Sequence, residues 1–443
     1  MRLVQTAAET TIELWEERSD GGGSMRYADG SVSLSDGFTA HLGDTEAFLS
    51  GMSLRERSAL VDVDKRLHEQ WRLGQNVLLC WCPEPRGLAV LVVPHYAVAE
   101  YAAGHAAPRT DAVPPLDSMD YRHASEDFFK SLLSRDRMMT PAQLSKVARL
   151  LGIEISHIAL RYPLSRDPVQ LRLVENMVKR YGISYVPNRA VALFDIVGFS
   201  LLSPFEQMNQ INSLAYSLNS AQSKLLTKRI DVNFARSTTG DGFYIWNRDL
   251  SLDANVNLYQ FMHLVLADNA IARGKAHGRT TPRLRACFHI GSCYEFHQAE
   301  GLNPTTYDYI VGDVTIELAR MVDRALPDQV LVGEFNADLP NPSNGDGAQI
   351  KLNSIEFIGC AEQSLSKLEG LELSGDRVDA IKCYLTGSRL GDGNFSIRRI
   401  VINDKHGMTR RVYNAKVNIY RHNAQPILLG IEDHILEAGS NAT

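Results

Sequence analysis

Two aspartates stand at the ends of short apolar runs, beside residues that favour turns. Asp195 directly follows the run of residues 190–194, and Gly198 comes shortly after it. Asp241 lies in Thr-Gly-Asp-Gly, residues 239–242, between two short extended runs, a pattern typical of a hairpin tip. Both carboxylates are therefore predicted at strand ends. Two such groups lying close together could hold two divalent cations, Mg²⁺ or Mn²⁺, through hard oxygen ligands.

The residues after Asp195 predict a phosphate-binding loop that leads into a helix. Ser203, Pro204 and Glu206 fit an N-cap, a first-turn proline and the acid of a capping box, so a helix should begin here. Main-chain N–H groups at a helix start attract phosphate, and the loop before this helix is expected to cradle one. The loop consists of Val197, Gly198, Phe199 and Ser200. Taken singly, Asp195 also fits a plain helix cap and Asp241 a plain turn residue.

A third motif completes a combination that resembles a known family. Residues 307–313, Tyr-Asp-Tyr-Ile-Val-Gly-Asp, are followed by Thr-Ile-Glu-Leu-Ala-Arg-Met and then by the strand-like run 329–334. With the two aspartate motifs, this pattern resembles the class III nucleotidyl cyclases. Their first strand ends in Asp-Ile-x-Gly-Phe-Ser/Thr, their next hairpin carries Gly-Asp, and their third motif reads Tyr-Asp-x-x-Gly-Asp-Thr-Val-Asn-x-Ala-Ser-Arg-Met. The resemblance spans residues 186–334.

The resemblance implies that a nucleoside triphosphate is cyclised by two-metal catalysis, with attack of the ribose 3′-oxygen on the α-phosphorus and loss of pyrophosphate. It implies that Asp195 and Asp241 bind the cations, with the Ile196 carbonyl as a further ligand. Arg320 would stabilise charge on the transferring phosphoryl group, and Lys405 would bind the triphosphate. The resemblance also implies a homodimer whose two active sites are shared between protomers.

Three positions depart from the purine cyclases of this family. The base-selecting positions fall on Ser237 and Tyr309, and the ribose-binding asparagine falls on Ile316. A short hydroxyl beside a phenol predicts a tighter pocket, in which tyrosine stacks on a base and donates a hydrogen bond. In this respect the sequence looks like the bacterial pyrimidine cyclases of the Pycsar anti-phage systems. This resemblance implies cyclic UMP or cyclic CMP as second messenger, with uracil favoured because both side chains can donate to its carbonyls.

Other interpretations are open at this stage. An adenylyl cyclase with an unusual base pocket would keep the same metal chemistry. A degenerate cyclase fold that only binds a nucleotide would account for the missing asparagine. A diguanylate cyclase fits poorly, because Gly-Asp-Gly-Phe at residues 240–243 lacks that family's second acid. Arg320 could also form a helix-surface ion pair with Asp323 or Glu317.

The elements that would position these residues alternate between strand and helix. This alternation predicts the α+β class, with a ferredoxin-like core in which a mixed sheet carries helices on one face. The predicted order is strand 189–194, helix 204–227, hairpin 232–246, helix 256–273, strand 283–294, strand and helix 309–324, and strand 329–332.

The chain of 443 residues is too long for one ordinary domain. The expected division is a flexible segment 1–43, a small α+β unit 44–118, a helical linker 119–182, a cyclase domain 183–425 and a tail 426–443. An insertion is expected at 336–395, because Lys405-His406-Gly407 after it resembles the Lys-Gly-x-Gly hairpin tip that ends the family's domain. The small unit should contain a helix within 44–73 and a hairpin of two apolar strands.

Composition excludes several other classes of protein. A net charge of -6 argues against a protein that binds nucleic acid through a basic face. The six cysteines lack metal-ligand spacing, which indicates free thiols in a reducing compartment. The start has no signal-peptide pattern, and no apolar run is long enough to span a bilayer. The sequence therefore predicts a cytoplasmic enzyme without a nucleic-acid or membrane partner.

Overall fold

Two main β-sheets, each with helices packed against it, organise the described part of the chain. The computed structural model describes residues 51–102, 128–230, 232–299, 306–341, 348–387, 390, 396–403 and 407–433. A three-stranded sheet belongs to the residues before 160, and an eleven-stranded sheet to the residues after 182. Within these ranges, no helix has both the length and the apolar character needed to cross a membrane.

The amino-terminal unit is a sheet covered on both faces. Its elements are α1 (Leu54–Trp71), β1 (Asn76–Glu84), β2 (Gly87–Pro94), α2 (His95–Ala102), α3 (Pro141–Leu151), β3 (Ile155–Ala159) and α4 (Pro168–Arg180). Helices α1 and α4 pack with Trp81 and Val90 on one face, whereas α3 and residues 128–133 cover the other face with Cys80 and Cys82. The structure confirms the predicted hairpin, since β1 and β2 pair antiparallel from Asn76 to Glu84.

The second region contains the three motifs. Its elements are β4 (Ile183–Ile196), α5 (Pro204–Thr227), β5 (Phe234–Thr238), β6 (Gly242–Asn247), α6 (Leu252–Lys275), β7 (Leu284–Ala299), β8 (Thr306–Val311), α7 (Asp313–Arg324), β9 (Val330–Gly333), β10 (Asn336–Pro340), β11 (Gln349–Asn353), α8 (Ser354–Ser364), β12 (Glu372–Leu373), β13 (Asp376–Leu385), β14 (Arg399–Asn403), β15 (Thr409–Arg421) and β16 (Ile427–Leu429). Main-sheet order is β12-β13-β15-β9-β7-β4-β6-β5, with β8 on β7 and with β14 and β16 on β15.

The α+β class with a mixed sheet is confirmed. β7 pairs parallel with β9 and antiparallel with β4, so both kinds of pairing occur in one sheet. Helix α5 begins and ends where the sequence predicts, because Ser203 and Glu206 form a reciprocal capping box before Pro204. Strand β7 runs five residues beyond its predicted end at Tyr294, where it pairs with β8.

The expectation that the helices share one face of the sheet is wrong for α7. Alternate residues of β4 point to opposite faces, and Ala192 and Phe194 pack with α5 and α6. Val191 and Leu193 pack instead with the apolar stripe of α7, which includes Leu318. Helix α7 buries an i, i+3, i+4 stripe of its own, so it needs a second apolar surface and takes the opposite side of the sheet.

Residues 336–387 add to the same core as the preceding strands. They form the β10–β11 hairpin, α8, and β13, which pairs with β15 in the main sheet. Leu339, Phe357 and Leu385 belong to the hydrophobic cluster that also holds Phe194. After this segment β14 and β15 pair antiparallel, as predicted for residues 399–420. The turn between them, including Lys405, lies outside the described residues.

Candidate active site

Strand register brings Asp195 and Asp241 to one edge of the sheet. Strand β4 lies between β6 and β7, and Asp195 is paired with Gly242 on one side and with Arg285 on the other. A Cβ atom on Gly242 would lie 1.9 Å from the Phe194 carbonyl oxygen. Only glycine permits this approach of the two backbones. Asp241 therefore comes immediately before the closest contact between the hairpin and β4.

Hydrogen bonds within the hairpin tip define the turn that carries Asp241. Gly240 has φ +97°, a conformation that L side chains rarely adopt, and its N–H donates to Thr238 Oγ1 at 3.1 Å. The Thr239 hydroxyl donates to Asp241 Oδ1 at 3.1 Å, and the Thr239 N–H donates to the Gly242 carbonyl at 3.0 Å. The tip is thus defined by its own residues, and the Asp241 side chain is half-buried.

Arg285 is a site residue that the sequence analysis missed. Its Nε and Nη2 atoms donate to Asp195 Oδ2 at 2.8 and 2.5 Å, so a guanidinium lies against the buried carboxylate. Asp195 is only 7% exposed. Burial raises the pKa of its carboxyl above the ordinary value, while Arg285 lowers it and the charges of Asp241 and Asp323 raise it. The Arg-x-x-x-His spacing from Arg285 to His289 was visible, but only strand pairing shows what this arginine faces.

Asp323 brings a third negative charge to the same edge. It stands near the end of α7, and its charge acts on Asp195 and on the Tyr244 hydroxyl. Burial is the main cause of the raised pKa of Tyr244, and its hydroxyl donates to the Thr315 carbonyl at 3.3 Å. Helix α7 therefore passes close to Asp195 of its own chain.

The loop after Asp195 offers three main-chain donors rather than four. The Val197 N–H donates to the Arg283 carbonyl at 2.9 Å, because β4 still pairs with the β7 side at this point, so this N–H is engaged within the fold. The N–H groups of Gly198, Phe199 and Ser200 have no acceptor within the described ranges. Gly198 has φ +69°, which turns the chain out of the strand and into the short 3₁₀ helix Phe199–Leu201.

The donor set fits divalent cations of the hard class. Asp195 and Asp241 supply carboxylates, and the Ile196 N–H donates to the Asp241 carbonyl at 3.0 Å. The N–H and C=O of one strand residue point the same way, so the Ile196 carbonyl is also directed toward the hairpin tip. Carboxylate and carbonyl oxygens are the ligands that Mg²⁺ and Mn²⁺ prefer. No cluster of three or more His, Cys, Asp or Glu spaced for a metal occurs among the described residues, so water or substrate oxygens would complete the coordination.

The residues assigned to the phosphoryl group and the ribose lie on α7. Arg320 is half-buried, one helical turn before Asp323. Glu317, one of the two alternative ion-pair partners of Arg320, forms an ion pair with Arg410 of β15. Ile316, at the position of the family's ribose asparagine, is 46% exposed and cannot hydrogen-bond through its side chain. Lys405 lies outside the described residues.

The two predicted base-pocket residues pair at different levels along the strands of the sheet. Ser237 is half-buried on β5 and pairs with Tyr244, close to the hairpin tip. Tyr309 is paired with Phe296, eleven residues along β7 from Arg285, roughly 35 Å at the rise of a strand. Its ring stacks on Phe296 with centroids 5.4 Å apart and planes at 14°. Within one protomer, Tyr309 and the two metal carboxylates therefore lie at different ends of β7.

Comparison with known proteins gives similarity to solved structures only. No family model matches, and no curated protein matches. The adenylyl cyclase CyaB from P. aeruginosa is 12% identical with a TM-score of 0.31, and the match covers 55% of this chain and 97% of that one. The guanylate cyclase domain of RhGC from Catenaria anguillulae, crystallised with GTP, is 11% identical with a TM-score of 0.31, over 54% and 100%. An adenylate cyclase from Trypanosoma brucei in its monomeric state is 12% identical with a TM-score of 0.27, over 52% and 88%.

The solved structures that the chain resembles are thus adenylyl and guanylyl cyclases. At these identities and TM-scores the similarity does not establish a family or an activity. The edge of the sheet combines a carboxylate near the end of β4, a second carboxylate at the neighbouring hairpin tip, a guanidinium against the first, and a loop whose N–H groups at residues 198–200 have no acceptor among the described residues.

Proposed function

We propose that this protein is a nucleotidyl cyclase, which converts a nucleoside triphosphate to the 3′,5′-cyclic monophosphate and pyrophosphate. One observation carries the proposal: Asp195, near the end of β4, lies beside the β5–β6 hairpin tip that carries Asp241, and residues 198–200 follow with three N–H groups that have no acceptor among the described residues. Carboxylates alone would suit many cation sites. Carboxylates beside a main-chain phosphate cradle suit a reaction on a metal-bound polyphosphate.

The metal ligands, the loop N–H groups and Arg285 each have a separate role in the proposed reaction. Asp195 and Asp241, with the Ile196 carbonyl, would hold two cations, Mg²⁺ or Mn²⁺, which when bound lower the pKa of the 3′-hydroxyl and neutralise the triphosphate. The N–H groups of residues 198–200 orient the phosphates, and Gly198 permits the turn that presents them. Arg285 supplies a positive charge where phosphate oxygens approach.

Arg320 and Lys405 take the remaining roles in the proposal. A planar guanidinium at Arg320 stabilises the charge that develops on the transferring phosphoryl group, and Lys405 binds the triphosphate as a point charge. Both assignments come from the resemblance to class III cyclases. In the structure, Arg320 stands one helical turn before Asp323, whose charge acts on Asp195.

We further propose that the enzyme works as a homodimer with shared active sites. Val311 and Ile316 of the β8–α7 segment are 47% and 46% exposed, and Phe205 at the start of α5 is 71% exposed. Apolar side chains at such exposure, on both sides of the site, favour a covered surface. A second copy facing this surface would bring Tyr309 and Arg320 of one protomer to Asp195 of the other. The large separation between Tyr309 and Asp195 along β7 supports such an arrangement.

The proposed substrate is a pyrimidine triphosphate, UTP before CTP. Ser237 and Tyr309 occupy the positions at which purine cyclases carry charged residues, and a hydroxyl and a phenol can donate to the carbonyls of uracil. The product would serve as a second messenger in anti-phage defence, in the cytoplasm. An adenylyl cyclase with an unusual base pocket is the competing assignment, and it shares every metal and phosphate residue.

Incubation of the purified protein with each of the four triphosphates and Mn²⁺ or Mg²⁺ tests the proposal. Chromatography against cyclic nucleotide standards should show one cyclic product and an equal amount of pyrophosphate. An Asp195→Ala/Asp241→Ala protein should make neither. Linear products, or hydrolysis to the diphosphate, would replace this proposal with another phosphoryl-transfer reaction.

A nucleotide-binding protein without catalysis is the second candidate. Two observations favour it: Ile316 replaces a ribose ligand, and Arg285 already engages Asp195. Isothermal titration with each triphosphate, followed by product chromatography on the same samples, separates the two functions. Binding without any cyclic product, in the presence of either cation, would establish the second candidate.

A further inference from the structure

A cavity of about 370 Å³ separates the amino-terminal unit from the sheet that carries the candidate site. On one side it is lined by α4 and by residues 133–135, and on the other by β4, by β8 and by the end of β6. Its volume lies in the range of small-molecule sites. The lining does not include Asp195 or Asp241, so this cavity is separate from the two carboxylates.

Basic side chains outnumber acidic ones in the lining. Six basic side chains face three acidic ones. The basic residues are Arg135, Arg172, Lys179, Arg180, Arg189 and Arg248, and the acidic residues are Asp249, Glu295 and Asp308. Clefts lined by charge of one sign concentrate ligands of the opposite sign.

Ion pairs within the lining neutralise only part of this charge. Arg189, 2% exposed, pairs with Glu295 at 2.5 Å, and Arg248 pairs with Asp308. Lys179 pairs with Asp136 and Glu175, and Arg180 pairs with Asp64, all of which lie outside the lining.

Arg135 and Arg172 are the cations that the rest of the described chain leaves without a partner. They approach the cavity from the two sides of the amino-terminal unit, one after the helix of residues 128–134 and the other on α4. No hydrogen bond or ion pair joins either guanidinium to a described residue, and Asp249 is the one acid of the lining without an ion-pair partner there. Guanidinium groups bind phosphate in a bidentate manner.

Aromatic side chains complete the lining. Tyr185 borders the cavity, and its ring lies 5.1 Å from that of Tyr294. A base can stack on such rings, whereas an inorganic anion gains nothing from them. Cations for a phosphate and aromatic rings for a base are the two requirements of a nucleotide site.

We propose that this cavity binds a nucleotide effector, with its phosphate on Arg135 and Arg172, at a site that is separate from the two metal carboxylates and shares Tyr309 with the proposed base pocket. The ligand would bridge the amino-terminal unit to β8, and β8 leads through Gly312 directly into α7 with Arg320. Occupancy would thereby fix the strand that carries Tyr309. An effect on turnover rests on the proposed cyclase function, whereas binding itself does not.

Equilibrium dialysis of labelled AMP, GMP, CMP and UMP in EDTA tests the binding, because without cations the carboxylate site cannot engage a nucleotide through metal. Inorganic phosphate and pyrophosphate serve as comparison probes. The variant is Arg135→Ala/Arg172→Ala, both exposed, and the matched control is Arg55→Ala/Arg149→Ala, two exposed arginines of α1 and α3. Asp195→Ala reports on the other site. All variants leave Tyr309 unchanged.

The expected result is saturable binding of at least one nucleoside monophosphate, equal in the wild type, Asp195→Ala and the control. The Arg135→Ala/Arg172→Ala protein should bind about tenfold more weakly or worse, since two charge-assisted contacts are lost. Absence of saturable nucleotide binding by the wild type overturns the proposal, as does binding that the double variant retains. Loss of binding in Asp195→Ala would place the nucleotide in the active site, and equal binding of pyrophosphate would leave no role for a base.

Discussion

Arg285 donates two hydrogen bonds to a single oxygen of Asp195, from the position directly opposite on the neighbouring strand. The pairing offsets part of the free-energy cost of burying the carboxylate, and it fixes the side-chain orientation of Asp195 before any ligand arrives. It also places a guanidinium beside the predicted metal ligands, where the proposed triphosphate substrate would approach. The two residues are ninety positions apart in the chain and meet only through β4 and β7.

The first prediction concerns the metal carboxylates. Asp195→Ala and Asp241→Ala should each lower turnover by about 10³-fold or more, because each removes several kcal/mol of charge stabilisation at the metals. Asp338→Ala, which removes an exposed aspartate elsewhere on the surface, should leave turnover unchanged. Initial rates with a saturating triphosphate, together with circular dichroism of each variant, make the measurement. Wild-type turnover in either site variant would refute the site assignment.

Gly242 should be the position where a single methyl group damages the site. Gly242→Ala places Cβ against the Phe194 carbonyl, so β6 must move away from β4, at a cost of about 1–3 kcal/mol or more and with displacement of Asp241. Gly274→Ala is the matched control, because nothing lies within 4 Å of its Cβ in α6, and alanine there should stabilise by up to about 1 kcal/mol. Chemical denaturation and turnover are measured on both. Two variants with the same stability would contradict the close approach.

Buried histidines should make the fold sensitive to acid. Burial lowers the pKa of His263 to about 3 and that of His289 to about 4, below the ordinary 6.5. The unfolded chain therefore binds protons that the folded chain does not bind. Each histidine lowers the free energy of unfolding by about 1.4 kcal/mol per pH unit as the pH falls from 6.5 toward 4. His263→Met should flatten this dependence, and His277→Met, exposed, is the control. Denaturant unfolding at several values between pH 7 and about pH 5 gives the slope of the free energy of unfolding against pH for each protein. Identical slopes in His263→Met and the wild type would disprove the effect.

Sharing of the active sites can be tested by mixing two inactive proteins. If Asp195 and Arg320 act across the dimer, Asp195→Ala mixed with Arg320→Ala yields heterodimers with one complete site. Random exchange makes half of the dimers mixed, so the mixture should regain about one quarter of wild-type turnover. If Arg320 acts within its own chain, as the closeness of α7 to Asp195 also allows, no site is complete and nothing is regained. Labelled protomers show independently that exchange took place.

Base selection is the last prediction. A pyrimidine triphosphate should be cyclised in preference to ATP and GTP when all four compete. Tyr309→Ala should weaken that preference and lower turnover, because stacking on a base is worth about 1–3 kcal/mol. Tyr96→Ala removes a tyrosine that is 61% exposed on the amino-terminal unit and is the control. A clear preference for ATP would turn the assignment to an adenylyl cyclase with an unusual pocket.

Local signals in the sequence determined the elements around the site. The capping box of Ser203 and Glu206 with Pro204 determines where α5 begins, and Asp167 with Pro168 does the same for α4, because such signals act within one helical turn. The run before Asp195 and the turn at Asp241 predicted strand ends for the same reason. The positions of Ser237, Tyr309 and Arg320 on their elements could likewise be read from the chain.

Tertiary structure alone decided what these residues face. Arg285 meets Asp195 through strand pairing over a long stretch of chain, and Asp323 reaches the same edge because α7 packs on the opposite face of the sheet from α5. The Val197 N–H donates to the Arg283 carbonyl, because β4 continues to pair with the β7 side for one residue more than the turn pattern indicates. The cavity lined by Arg135 and Arg172 exists only because two separately cored units meet there. Strand register and packing between distant segments depend on the whole core, so no short sequence pattern records them.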